Sequence, residues 1–226
     1  VFVYTADGAT ATLTITVTGV NDDPVAVNDT DAVNENATIT ESSGDELLVA
    51  DDTDADTDSA LTVTQIAVTG GSNSAVSSGT THSDGTSITG TYGTLVVGAN
   101  GAYTYTANTA AAEALDAGDT ETDSFTYTVS DGTATATATL VITVTGVNDA
   151  PVAVNDTDAV NEDATITESS GSELLVADDT DSDASSSLTV TQIAVTGGSN
   201  SSVASSSSYN SNFTTVNGTY GTLKVG

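Results

Sequence analysis

From residue 133 to 145 the chain reads TATATATLVITVT, with one class of side chain at every second position. Such alternation places Ala134, Ala136, Ala138, Leu140, Ile142 and Val144 on one face of a strand and the threonines on the other. Residues 124–130 do the same with Phe125, Tyr127 and Val129, and Asp131-Gly132 between the two runs reads as a hairpin turn. Residues 94–97 and 102–106 form a second strand pair around Gly98-Ala99-Asn100-Gly101. Shorter strands are predicted at 37–40 and 46–50, and an extended leading strand follows Pro24 through Val25 and Val27. In residues 61–69 (LTVTQIAVT), Leu61, Val63 and Gln65 share one face while Ile66 and Val68 share the other. That change of phase predicts a bulge or twist. Only residues 108–118, NTAAAEALDAG, have helical spacing, and one helical turn crossing between sheets is expected there. Seven or eight strands with frequent turn signals predict an all-β fold, a two-sheet antiparallel β-sandwich.

The pattern repeats. Residues 20–69 and 147–196 are offset by 127 (147 − 20) and differ at 7 of 50 positions. Gly90 to Leu95 returns as Gly218 to Leu223, the extra residue falling in a Ser-rich loop (72–87 and 199–211). At the other end, Phe2-Val3-Tyr4-Thr5 echoes Phe125-Thr126-Tyr127-Thr128, and ITVTGVND closes both segments. The chain therefore reads as the C-terminal strands of one repeat (1–19), a complete sandwich repeat (20–146) and the N-terminal two-thirds of the next (147–226). The two partial repeats together lack only the counterpart of residues 99–123. Either the chain is a window on a longer tandem array, or the strands of one copy complete the cut domain of another by strand addition.

Composition narrows the function. Among 226 residues, 32 are acidic and one is basic, Lys224, for a formal charge of −31. Phosphate backbones need a basic footprint, so nucleic acid is excluded as a partner, and an anionic membrane surface would repel the chain. High charge with few aromatics also fits disorder, but the period of two argues for a fold. No cysteine is present, which removes disulfide and thiolate chemistry. No apolar run of ~18 residues exists, so no membrane insertion is expected. A chain of Thr, Ser, Asp, Gly and Val almost without Lys or Arg suggests a secreted protein of a salty environment.

Two acidic groups could hold cations. The first is Asp51, Asp52, Asp54, Asp56 and Asp58, with Asp178, Asp179, Asp181 and Asp183 in the next copy; Asp58 is replaced by Ser185. Carboxylates at alternate positions point the same way and converge where the segment turns, and hard oxygen donors suit Ca²⁺. The spacing does not fit an EF-hand, since position six from Asp52 is Thr57 and position twelve is Val63. The second group lies at the seam between copies: Asn21, Asp22, Asn28, Asp29, Asp31 and Glu35, then Asn148, Asp149, Asn155, Asp156, Asp158 and Glu162. Ca²⁺ held there would stiffen the linker. Solvated acidic loops and ordinary Asx turns around Pro24 and Pro151 are the alternatives.

Catalysis has little support. The one histidine, His82, lies in a Ser-rich loop without a counterpart in the second copy. The acidic pairs recur as scaffold. Lys224 corresponds to Val96, so an internal Lys–Asn cross-link cannot be common to both repeats. Tyr92, Tyr103, Tyr105 and Tyr127 read as core or strand-pair residues more than as a sugar platform.

The runs TGVNDAPVAVNDTDAVNED, LLVADDTDSD, GTYGTLVVGANGAYTYT and TDSFTYTVSDG resemble the VCBS and bacterial cadherin-like tandem repeats of giant secreted, RTX-type adhesins. The similarity covers essentially the whole chain. It implies an immunoglobulin-like or cadherin-like sandwich repeated many times and exported to the cell surface, with several Ca²⁺ ions per repeat and a role in adhesion, biofilm or a surface layer. The acidic loop departs from the usual DADGD, reading DADTD and DSDAS. Neighbouring repeats, of the same or of identical chains, are the expected partners, with surface glycans or other cells beyond them. A filament subunit joined by strand complementation and a carbohydrate-binding module are the alternative readings.

Overall fold

The computed structural model describes residues 1–42, 48–56, 60–169, 175–205 and 211–226. Among the described residues, eleven strands precede the second seam: β1 (Phe2–Ala6), β2 (Ala9–Leu13), β3 (Asp29–Asn34), β4 (Thr38–Glu41), β5 (Thr62–Val68), β6 (Ser74–Ala75), β7 (Thr86–Thr89), β8 (Thr94–Val97), β9 (Tyr103–Thr106), β10 (Thr120–Ser130) and β11 (Thr135–Thr145). No helix occurs among the described residues. The strands of the complete repeat form a five-stranded sheet, β3-β11-β10-β5-β6, and a four-stranded sheet, β4-β9-β8-β7.

The alternation of the long strands explains the core. Phe125, Tyr127 and Val129 of β10 are fully buried, as are Leu140 and Ile142 of β11, while Thr126, Thr128 and Val141 between them are half-exposed. From the other sheet come Leu95, Val97, Tyr103 and Tyr105, all buried. Tyr105 meets Phe125 edge to face at 6.2 Å between centroids and 66° between planes, so the sheets pack face to face. Tyr92 is half-exposed.

The phase change in β5 is a β-bulge. Thr128 pairs with Gln65 but Val129 pairs with Val63, leaving Thr64 as the extra residue. The bulge lets Val63 and Ile66, which lie on opposite faces of a regular strand, both turn inward and become buried. At the β10–β11 turn Gly132 adopts φ +95°, a conformation that a side chain would strain.

Three local expectations come out differently. Residues 48–50 form a turn and a bend rather than the end of a strand, and residues 46 and 47 lie outside the described residues. Val25 makes a single bridge to Thr53 instead of starting a strand. Residues 108–118 do connect β9 of one sheet to β10 of the other, but through turns. One bond there has α-helical spacing, Glu113 N–H to the Thr109 carbonyl at 3.1 Å, and the next, from Leu115 to Ala112, has 3₁₀ spacing.

By spatial clustering the chain divides into two units. The first comprises Val1–Ala32, Thr38–Thr106 and Thr122–Thr143 and holds the sandwich core. The second comprises Val33–Ala37, Ala107–Glu121 and Val144–Gly226. Within the second, Gly146 exchanges backbone hydrogen bonds with Asp119 (2.9 Å) and Gly118 (3.0 Å), and Glu35 N–H donates to the Thr145 carbonyl at 2.9 Å. Its short strands are β12 (Gln192–Ile193), β13 (Ser201–Ser202), β14 (Thr214–Asn217) and β15 (Thr222–Val225).

Candidate metal centre

Each seam folds back on its acidic loop by one bridge, Val25 with Thr53 and Val152 with Thr180. Carboxylates complete the turn by capping backbone amides. Asp52 Oδ1 accepts from Val27 N–H at 2.7 Å, and Asp179 Oδ1 from Val154 N–H at 2.8 Å. Asp54 Oδ1 accepts from Asp56 N–H at 2.7 Å, and Asp181 Oδ1 from Asp183 N–H at 3.0 Å, both Asx turns. Asp56 Oδ2 accepts from Asp22 N–H at 2.9 Å, and Asp183 Oδ2 from Asp149 N–H at 3.1 Å. Asn21 and Asn148 each donate their side-chain amide to the carbonyl of the following Asp. The same local architecture is thus built twice, 127 residues apart.

At the second seam a further carboxylate joins. Glu35 follows β3 and is 2% exposed; Asp149 is half-buried and Asp183 is 9% exposed. One carboxylate oxygen from each of the three lies within 4.8 Å of the others. Glu35 spends Oε1 on the Val147 amide and Asp183 spends Oδ2 on the Asp149 amide. Glu35 Oε2, Asp149 Oδ2 and Asp183 Oδ1 remain buried with no hydrogen-bond partner.

Bare carboxylates at this spacing repel. Two unit charges 4.8 Å apart cost about 3 kcal/mol at an effective dielectric of 20. Burial accordingly pushes the Glu35 carboxyl above its ordinary value against the pull of the Val147 amide, and Asp149, Glu113 and Asp183 add to the rise. No basic side chain relieves it, because the only one, Lys224, lies over the Phe213 ring at 4.3 Å. Orphaned, buried, all-oxygen donors fit a hard divalent cation such as Ca²⁺, with carbonyls or water completing the shell.

The remaining predicted ligands are placed elsewhere. Asp29 accepts a hydrogen bond from Tyr127 Oη at 2.7 Å and Asp31 one from Tyr103 Oη at 2.8 Å. With Glu41 and Asp51 they line a cleft on the first unit. Burial raises the Asp29 carboxyl to about 6 despite the Tyr127 hydrogen bond, and Asp51 and Asp52 contribute. Asp52 is buried and its Oδ2 has no partner; burial raises its carboxyl too. Asp54 Oδ2 is a further buried orphan. Asp51, Asp156, Asp158, Glu162 and Asp178 are exposed, and Asp58 lies outside the described residues.

One buried acid has no place among the predicted ligands. Asp123, 3% exposed, accepts from the amides of Thr91 (2.7 Å), Tyr92 (3.0 Å) and Gly93 (3.1 Å) and from Tyr105 Oη (2.7 Å). It is an anchor for the 90–93 turn. Its parity in β10, the same as Phe125 and Tyr127, is the signal that a carboxylate points inward there.

The family model for the bacterial cadherin-like domain matches residues 21–146. No curated protein matches the chain.

Proposed function

The chain belongs to the bacterial cadherin-like domain family, and from that premise we propose that it is a calcium-stiffened structural repeat of an extracellular bacterial surface protein. The domains of this family are structural and adhesive rather than enzymatic, and they occur in extracellular proteins. Among the described residues no helix is long and apolar enough to cross a membrane.

The observation that carries the proposal is the set of unpartnered buried oxygens on Glu35, Asp149 and Asp183. Glu35 comes from one repeat and the two aspartates from the next. A Ca²⁺ ion shared among them ties the end of one sandwich to the start of its successor and removes the bending freedom of the seam. Repeated along an array, that makes a stiff stalk able to hold an adhesive tip away from the cell. Glu162 is the counterpart of Glu35 for a following seam.

Calorimetric titration of Ca²⁺ into chelator-stripped 1–226, with melting in Ca²⁺ and in EDTA, tests this. Binding that weakens at least tenfold in Glu35→Gln and Asp183→Asn supports it. A melting temperature that is the same in both buffers sinks it.

A further inference from the structure

The segment between β9 and β10 does more than cross from one sheet to the other. It clasps Gly146, the residue just before the second seam. Gly146 N–H donates to the Asp119 carbonyl at 2.9 Å, and Gly118 N–H donates to the Gly146 carbonyl at 3.0 Å. A Cβ on Gly146 would lie 2.3 Å from the Asp116 carbonyl oxygen and 2.7 Å from that of Leu115, so only glycine leaves room for the clasp. Leu115 is buried, and Asp119 N–H closes a turn onto the Asp116 carbonyl at 2.9 Å. The backbone on either side of Asp116 is therefore fixed, and its side chain has a set place beside the seam.

That side chain bonds to the acidic loop of the next repeat. Ser185 N–H donates to Asp116 Oδ1 at 2.9 Å, across 69 residues. The Ser185 hydroxyl faces the same carboxylate, and hydroxyl and amide together hold the Asp116 carboxyl below its ordinary value. On the loop side, Ser186 N–H donates to the Asp183 carbonyl at 3.2 Å, a turn that holds Ser185 between those two residues.

The two copies differ at this very place. Of the seven differences between residues 20–69 and 147–196, four fall within 55–60 against 182–187, and Ser185 stands where the complete repeat has Asp58. A serine at this position is neutral and offers a hydroxyl donor as well as its amide. An ionised aspartate has no side-chain donor and would set a second negative charge against Asp116.

We propose that Asp116 is a docking point that reads the residue at position 185 of the following acidic loop, accepting serine and refusing aspartate. The partner that fits is the acidic loop of a repeat carrying Ser at that position, as the second copy does. A repeat carrying Asp there, as the complete repeat does with Asp58, makes a looser seam behind an Asp116. Discrimination of this kind comes from a repulsive pair set against the wrong neighbour as much as from the bonds made to the right one. The contact uses none of the three converging carboxylates, so it does not depend on a bound ion.

Amide hydrogen exchange on the 1–226 chain, read residue by residue by NMR, tests this. Ser185→Asp and Asp116→Ala are each expected to lower the protection factor of the residue 185 amide by about tenfold or more. Ser185→Asp combined with Asp116→Asn, which keeps an acceptor oxygen and removes the repulsion, is expected to recover most of that protection. Ser185→Ala keeps the amide bond and is expected to fall between the parent and Ser185→Asp. The ranking is expected in Ca²⁺ and in EDTA alike, so it stands or falls apart from the cation. A Ser185→Asp amide as protected as the parent's, or a double variant no better protected than Ser185→Asp, overturns the proposal. The β10 and β11 amides in the same spectra separate a lost contact from lost folding.

Discussion

The backbone amide of Asp149 donates to Asp183 Oδ2 across 34 residues at 3.1 Å, and the first seam repeats the bond between Asp22 and Asp56 at 2.9 Å. One oxygen of the aspartate closes the loop, and the other is left facing its acidic neighbours. The carboxylate therefore has a cost and a use: it folds the seam and repels Glu35 and Asp149 unless a cation intervenes.

Asp183→Asn accordingly changes sign with the buffer. It keeps an oxygen for the Asp149 amide and removes one of three crowded charges. In EDTA the variant is expected to be as stable as the parent or up to about 2 kcal/mol more stable. In Ca²⁺ it loses the ligand-linked gain, which amounts to about 2.7 kcal/mol at a hundredfold excess over Kd. Chemical denaturation in the two buffers reads both values.

Asp123→Ala is expected to be the most damaging single change in the complete repeat. It strips the acceptor from three amides and from Tyr105 Oη, and the bonds from Gly93 and Tyr105 are buried. Each orphaned buried donor costs about 1–3 kcal/mol, so a loss of about 3 kcal/mol or more follows. Asp123→Asn, which keeps one acceptor oxygen, is expected to lose less. Urea titration ranks the three proteins.

Gly93 and Gly221 occupy the same place in two copies of GTYG, yet they should respond differently to alanine. A Cβ at Gly93 would lie 2.4 Å from the Tyr105 ring, whereas at Gly221 nothing lies within 4 Å. Gly93→Ala is expected to destabilise by about 1–3 kcal/mol or more through overpacking. Gly221→Ala is expected to stay within about 0.5 kcal/mol of the parent. Paired melting curves suffice.

Acidity acts on the cation-free chain through Asp29. Its folded carboxyl titrates at about 6, above its unfolded value of 3.8. The folded state therefore binds the proton more tightly. This group's contribution to stability is complete below about 4 and is lost as the pH rises through 6. In EDTA the melting temperature is expected to fall between pH 4.5 and 6.5, and Asp29→Asn to flatten that slope. A wild-type slope retained in the variant would assign the effect to other acids.

The alternation in 124–130 and 133–145 is enough to place Phe125, Tyr127, Leu140 and Ile142 in a core, because a strand has only two faces. The phase slip in LTVTQIAVT likewise calls for the bulge at Thr64. The seam and acidic loop are visible as repeated acids around a proline. What the pattern leaves open is each acid's task. Asp31 and Asp29 serve tyrosine hydroxyls and Asp52 caps an amide, and spacing along a strand does not distinguish a cap from a ligand. Asp123 is legible only by parity, since its amide partners come from a turn 30 to 32 residues earlier.

Local chemistry alone therefore determines the period, the repeat, the two-sheet sandwich and the excess of unbalanced negative charge. Those follow from side-chain alternation and composition, which require no knowledge of distant neighbours. Which three carboxylates converge was decided by the fold. Glu35 is 114 residues from Asp149 (149 − 35), and it reaches that aspartate only because its amide is bonded to Thr145 and its carboxylate to Val147. Burial then withholds water from the oxygens left over, and that tertiary fact is what distinguishes these three carboxylates from the other acids of the seam.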